Sequence, residues 1–209
     1  MAGSALAAAS GVVTIVDVES GQAGQATVLR GVARFQLAEG VPLREDDIVE
    51  AGAQARLLRL EFGDGLSVSV GPASRVWIAP RLPGERGKAA PRFYLLQGWA
   101  KVDAPADGMP RSAFATPAFD AAGAIRAVVV AVSPEGAQVF AEAGEVRLQV
   151  PGAGGSSTAS TLKAGELWSR SGETKAVLAP RPTPAFIQRV PKAFLDTLPA
   201  RAALFKARE

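Results

Sequence analysis

The chain has 209 residues and a formal net charge of +3, and 48 % of its residues are hydrophobic, so it can bury a substantial core. It contains no cysteine and no histidine, which excludes disulfide bonds, thiolate or imidazole metal ligands, and catalysis by a cysteine nucleophile or a histidine base. Only 6 % of the residues are aromatic and the basic residues of the main body form no stripe, which argues against nucleic-acid binding.

The chain begins with the residues MAGSALAAAS. Residues 5–7 fit the A-x-A pattern of a signal-peptide cleavage site, but no basic segment and no long apolar run precede them. We therefore expect residues 1–10 to be a flexible start or the remnant of a signal peptide, and the protein to be exported. No later stretch is long and apolar enough to predict a membrane span.

Two segments of strand-like composition follow this start. Residues 11–18 are rich in valine, isoleucine and threonine, which favours a first strand. Residues 27–37 alternate loosely between apolar and polar side chains, which predicts that part of this segment faces the core. Its expected core members are Val28, Val32 and Phe35.

The stretch LLRLEFGDGLSVSV, residues 57–70, shows strict alternation on both sides of a glycine-rich centre. Such alternation is typical of half-buried strands. A three-residue loop, Gly63–Gly65, aligns the two strands so that every apolar side chain lies on one face, with Gly65 at positive φ. The buried face is predicted to carry Leu60, Phe62, Leu66 and Val68, and the opposite face Ser67 and Ser69.

Short strand-like segments separated by glycine and proline turns continue along the chain. They are predicted at residues 75–78, 93–102, 114–119, 124–132, 137–141, 146–150, 162–169 and 175–178. The turn Pro134-Glu135-Gly136 predicts a second hairpin, with Gly136 again at positive φ. Residues 11–179 are therefore predicted to form an all-β domain, built as a sandwich or as stacked hairpins.

The pattern changes after residue 180. The linker PRPTP begins a segment, residues 180–209, that holds six Lys or Arg and two Asp or Glu residues. The pattern of this segment predicts two short helices at most. Either these pieces pack back on the β domain, or they form a basic, amphipathic arm that binds a partner or an anionic surface. We expect a semi-independent appendage rather than a further strand.

The order and spacing of several motifs resemble the FecR-like domain of bacterial envelope proteins. The matching elements are Gly40, Leu43, Asp47-Ile48, Phe62-x-Asp64-Gly65, Val68-x-Val70-Gly71-Pro72-x-Ser74-x-Val76, Leu96-x-Gly98, Lys101-Val102, Phe114-Ala115-Thr116-Pro117, Ala141-Glu142-Ala143-Gly144 and Val146-Arg147-Leu148. The resemblance covers roughly residues 11–178. One departure is the stretch Arg44-Glu45-Asp46, which replaces the glycine that the family has before Asp47, so this turn is expected to differ.

The resemblance implies a periplasmic β domain. Named regulators of this family also carry a membrane span and a cytoplasmic segment, and they pass a signal from an outer-membrane receptor to a sigma factor. Because this sequence matches only the periplasmic-type domain, we expect a non-catalytic binding or scaffold module that presents a β surface to an envelope protein or polysaccharide. A signalling protein related to these regulators is the alternative.

The candidate binding residues are large amphipathic aromatics and basic residues of the tail. The aromatics could stack on sugar rings, or they could cover a second sheet or a helix. The basic side chains could bind a partner surface or simply be solvated. The candidates are Trp77, Tyr94, Trp99, Arg189, Lys192 and Arg201.

The acidic residues give no catalytic or metal-binding pattern. Glu45, Asp46 and Asp47 form a cluster without the spacing of a calcium loop, so we expect a solvated turn, no metal site and no cofactor. Asp64 is expected to serve the local hydrogen bonds of its turn. No two carboxylates stand out as a glycosidase pair, and an enzyme is not expected.

Overall fold

The computed structural model describes residues 26–38, 40–62, 65–80, 91–104, 114–152, 156–172 and 174–196. The expected first strand at 11–18 and the expected start at 1–10 lie outside these residues, as does Arg201. No helix among the described residues is long and apolar enough to cross a membrane.

The described residues form fourteen β-strands followed by two short α-helices, which confirms the predicted all-β class with a helical C-terminal segment. The elements are β1 (Ala26–Arg30), β2 (Ala33–Gln36), β3 (Ile48–Ala51), β4 (Leu58–Glu61), β5 (Ser67–Val70), β6 (Ser74–Ile78), β7 (Phe93–Asp103), β8 (Phe114–Ala115), β9 (Asp120–Ala122), β10 (Ile125–Ser133), β11 (Gly136–Pro151), β12 (Ser157–Lys163), β13 (Leu167–Ser171), β14 (Val177–Ala179), α1 (Pro184–Arg189) and α2 (Lys192–Asp196).

The strands form one continuous sheet that folds over on itself into two layers. Layer A has the order β4-β5-β7-β10-β11-β13-β14. Layer B has the order β2-β1-β3-β6-β7-β8-β9-β11-β12. Strands β7 and β11 belong to both layers, so each of them carries the chain from one layer to the other.

The two shared strands change layer at glycines. In β7 the change occurs at Gly98, where φ is +90° and an added Cβ would lie 2.6 Å from the Cα of Ser74. In β11 it occurs at Gly144, where φ is +87° and an added Cβ would lie 2.2 Å from the carbonyl oxygen of Ala124. Since any side chain would collide with backbone and resist this φ, only glycine fits at either corner.

The core lies between the layers, and a chain of aromatic rings connects them. Phe62 beside β4 approaches Phe93 of layer B at 6.3 Å between ring centroids, and Phe93 stacks on Phe114 at 5.5 Å. Phe119 contacts both Phe114 and Trp168 of layer A with its ring nearly perpendicular to theirs. Aromatic contacts of this kind add to the free energy of area burial.

The hairpin predicted at residues 57–70 has the expected register. Leu60 of β4 pairs with Val68 of β5, and the backbone N–H of Phe62 donates to the carbonyl oxygen of Leu66 at 2.8 Å. All four predicted core residues are buried, and Gly65 has φ +83°. The second hairpin also forms, but its turn has two residues instead of the predicted three, because Gly136 pairs with Ser133 as the first residue of β11.

The prediction for residues 27–37 is wrong at two of its three core positions. Val28 of β1 is buried, but Val32 lies in the turn between β1 and β2 and is fully exposed. Phe35 pairs with Val28 and is half exposed. Among the described strands, β2 is the last in the order of layer B and pairs with β1 alone, so its side chains reach past the edge of the core.

The expectation of a solvated turn is confirmed for Asp46, which is exposed in a turn over residues 45–46, but it is wrong for Asp47. Asp47 is fully buried, and its carboxylate accepts both Nε and Nη2 of Arg30, at 2.8 and 2.7 Å. The backbone N–H of Arg44 donates to the same carboxylate at 2.7 Å. Asp46 has φ +67°, so it adopts the left-handed conformation that glycine would adopt at this turn.

The C-terminal helices pack on the outward face of layer A, so the expected appendage is wrong for the described part of the tail. Helix α1 begins after Thr183, whose side-chain oxygen accepts the backbone N–H of Phe186 at 3.2 Å. Phe186, Val190 and Phe194 are buried and form a second apolar cluster with residues of the sheet. The prediction of no further strand after residue 180 is confirmed for residues 180–196.

Replacing Phe186 by alanine tests this packing. We expect the free energy of unfolding, measured by chemical denaturation, to fall by roughly 3–5 kcal/mol, because the change leaves a cavity over the sheet. Ile187 is the matched control, since it is exposed on the same helix and Ile187→Ala should cost much less. Equal losses in the two variants would show that the helix is not anchored through Phe186.

Candidate ligand-binding groove

Two of the sequence-predicted candidates, Trp99 and Arg189, line the same groove. The groove has a volume of about 460 Å³ and lies on layer A, where the turn between β10 and β11 meets helix α1. The structure does not bring the other candidates to it. Lys192 is exposed at the start of α2, and Trp77 and Tyr94 lie on layer B.

One row of cross-strand neighbours passes through the groove. Trp99 of β7 pairs with Ala131 of β10, Ala131 pairs with Gln138 of β11, and Gln138 pairs with Ser169 of β13. Directly paired residues project from the same face of a sheet, so their side chains lie side by side. Four neighbouring strands therefore build the site, and sheet hydrogen bonds fix the spacing of its residues.

Trp99 is held in place by the corner that precedes it. Its backbone N–H donates to Oγ of Ser74 at 2.8 Å, and its carbonyl oxygen accepts the N–H of Gly71 at 2.9 Å. Its ring packs at a tilt against Phe186 of α1, with 5.7 Å between the ring centroids. The side chain remains partly exposed, so the rest of the ring is available to a ligand.

Helix α1 brings a guanidinium group to the row. Arg189 donates through Nε to the carbonyl oxygen of Ala185 at 3.3 Å and through Nη2 to Oε1 of Gln138. Arg170 of β13 also lines the groove, and its Nε donates to the carbonyl oxygen of Thr174 at 3.3 Å. Neither arginine forms an ion pair with a carboxylate of the described residues.

Glu135 contributes the negative charge at this site. It lies in the turn between β10 and β11 and is exposed. A hydrogen bond from Ser133 lowers the pKa of its carboxyl below the ordinary value, so the group stays ionised at neutral pH. With Arg170 and Arg189 the lining residues sum to one net positive charge.

Trp77 and Tyr94 form a separate aromatic pair. They are direct neighbours on β6 and β7, with 4.8 Å between ring centroids and an angle of 33° between ring planes. Each ring therefore covers part of the other ring's face, which reduces the flat apolar area that a sugar could contact. Their role in binding stays a prediction.

Layer A also contains a buried ionic cluster that the sequence did not reveal. Lys101 is fully buried, and its Nζ lies 3.2 Å from Oε2 of Glu142 and 4.0 Å from Oδ1 of Asp103. Burial raises the pKa of both carboxyls, whereas Lys101 lowers it. Nearby, Ser69 Oγ and Arg59 Nε are buried without a hydrogen-bond partner.

Strand alternation explains why this cluster was missed. Lys101 lies between the core residues Ala100 and Val102, so the pattern predicts that it faces away from the core. Its cross-strand neighbour Val129, however, belongs to the apolar cluster under the C-terminal helices. The outward face of the sheet is therefore partly covered, which alternation alone cannot show. No group of three or more acidic side chains in the described part of the chain could hold a metal ion.

Lys101→Met tests the electrostatics of this cluster. Because burial raises the pKa of Glu142 and Asp103, the folded state binds their protons more tightly than the unfolded chain does, and stability falls as pH rises between the unfolded and folded pKa values. Removing Lys101 widens this pH range. We expect Lys101→Met to lower the free energy of unfolding by roughly 3–5 kcal/mol at pH 8 and by clearly less at pH 5.

Urea denaturation at the two pH values measures this difference. Lys163→Met is the control, because Lys163 is exposed on β12 and its loss should change stability little at either pH. A loss for Lys101→Met that does not depend on pH would contradict the assigned ion pairs.

No model of a known protein family matches this chain, and a search of curated proteins finds no match. The resemblance to FecR-like domains therefore stays a prediction that depends on the motifs of the sequence.

Proposed function

We propose that this protein is a non-catalytic binding module of the bacterial periplasm whose groove holds an envelope polysaccharide. The observation that carries the proposal is that Trp99 and Arg189 line the same groove. Trp99 lies on one row of cross-strand neighbours with Gln138, and Arg189 of helix α1 donates a hydrogen bond to Gln138. The resemblance of the sequence motifs to FecR-like domains supports the compartment.

The chemistry of the groove fits a sugar. A sugar ring has an apolar face of C–H groups and a rim of hydroxyls, so its site needs an aromatic surface beside hydrogen-bonding groups. Trp99 offers the aromatic surface, and Gln138, Ser169 and Arg189 offer the polar groups. The volume of about 460 Å³ lies within the range of small-molecule sites.

Two features of the groove support binding without catalysis. Glycoside hydrolysis uses two carboxyl groups on either side of the scissile bond, and one of them must stay protonated to act as the acid. Among the described residues that line the groove, Glu135 is the one acidic residue. Glu135 is exposed and its pKa is lowered, whereas the acid of a glycoside hydrolase needs a raised pKa.

The position of the groove residues on strands also favours a protein that presents a fixed binding surface. Residues on hydrogen-bonded strands are positioned more firmly than residues on loops. Because the floor of the groove spans four strands, it presents its polar groups in a fixed arrangement to a ligand that arrives from solution.

Co-sedimentation with insoluble envelope polysaccharide, and affinity electrophoresis with soluble polysaccharide, test the proposal. We expect the parent protein to bind and Trp99→Ala to lose about five- to thirtyfold in affinity, since stacking on one aromatic ring contributes of the order of 1–2 kcal/mol. Trp77→Ala is the matched control, because Trp77 is also a partly exposed strand tryptophan but lies outside the groove.

Because Trp99 also packs on Phe186, each variant is first shown to be folded by its melting curve, and Gln138→Leu serves as a second groove variant. Retained binding in both Trp99→Ala and Gln138→Leu would overturn the proposal.

A further inference from the structure

We infer that the groove selects an acidic sugar, a unit that carries a carboxylate such as a uronic acid, over the corresponding neutral sugar. The inference rests on the proposed function and adds the charge of the ligand. It follows from the hydrogen bonds that the groove residues already make with one another.

These internal hydrogen bonds leave most of the N–H donors of Arg189 and Gln138 free. A guanidinium group has five N–H donors and no acceptor. Arg189 uses one donor on the carbonyl oxygen of Ala185 and one on Oε1 of Gln138, which leaves three for a ligand. The amide of Gln138 accepts from Arg189 with one of the two lone pairs of Oε1, and its two N–H groups form no other hydrogen bond among the described residues, so they can donate to a ligand.

A ligand of this site must therefore supply acceptors. Sugar hydroxyls can both donate and accept, but a neutral hydroxyl accepts from a guanidinium group more weakly than a carboxylate does. A carboxylate accepts at both oxygens and has no donor, and it matches the planar fork of an arginine. The N–H donors of Arg189 and Gln138 therefore favour a sugar whose ring carries a carboxylate over a sugar that carries a hydroxymethyl group at the same ring position.

The charges of the groove point to the same ligand. The side chain that accepts the hydrogen bond from Nη2 of Arg189 is the neutral Gln138. No carboxylate of the described residues compensates the positive charge of Arg189. Arg170 adds a second positive charge at the lining. Glu135 opposes them from the exposed turn, where solvent weakens its repulsion of an anion.

Trigalacturonic acid and its methyl ester are the probes, because they share every ring and hydroxyl and differ in the charge of the carboxyl groups. Isothermal titration measures both affinities for the folded full chain. We expect the parent to bind the acid at least about tenfold more tightly than the ester, with a preference that shrinks as salt is added.

Four variants locate the source of this preference. Arg189→Gln should weaken binding of the acid about tenfold and leave binding of the ester almost unchanged. Arg189→Lys should retain part of the preference, because it keeps the charge but not the planar fork of the guanidinium group.

Glu135→Gln should tighten binding of the acid about two- to fivefold. Lys192→Gln, which removes an exposed positive charge outside the groove, should leave the ratio of acid to ester affinity unchanged.

The outcomes separate this inference from the proposed function. If the ester binds as tightly as the acid and Trp99→Ala weakens both, the groove is a sugar site and the inference of an acidic ligand is wrong. If Lys192→Gln lowers the preference as much as Arg189→Gln does, the general charge of the surface is responsible and the inference is again wrong. If neither probe binds, the inference of an acidic ligand is wrong, whereas the polysaccharide proposal fails only if the protein also does not bind envelope polysaccharide in the sedimentation and electrophoresis assays.

Discussion

The close approach of two backbones at Gly98 and Ser74 is the constraint on which the site depends. Strand β7 can belong to both layers only because Gly98 turns the chain where no side chain fits. The next residue is Trp99, so the corner also fixes where the indole emerges on layer A. Gly144 makes the second corner in β11, the strand that carries Gln138. The same geometry that closes the core therefore aligns the floor of the groove.

The C-terminal helices complete the site that the sheet begins. Phe186 and Phe194 cover an apolar patch on the outward face of layer A, and this packing places Arg189 beside Gln138. Next to the same patch, the sheet buries Lys101 with Glu142. The outward face of layer A thus combines an apolar anchor for the helices, a buried ion pair and a donor-rich groove.

The sequence predicted features that depend on neighbouring residues and missed those that depend on distant ones. The hairpin around Gly65 was predictable because strict alternation permits one register. Phe35 was misplaced because alternation does not show that a strand lies at the edge of a sheet. Trp99 and Arg189 were identified by residue type alone, since only the packing of α1 on the sheet brings them together. Gln138 gave no signal, because its role comes from a neighbour far along the chain.

The indole signals of tryptophan offer the most direct measurement of whether the groove holds the ligand. The chain has three tryptophans, so a protein labelled with ¹⁵N-tryptophan gives one resolved indole N–H signal for each. On titration with an acidic oligosaccharide, the signal of Trp99 should shift in a saturable way, while the buried Trp168 and the distant Trp77 should remain unchanged. Equal shifts of Trp77 and Trp99, or no shift of Trp99 while the ligand is bound, would contradict the account.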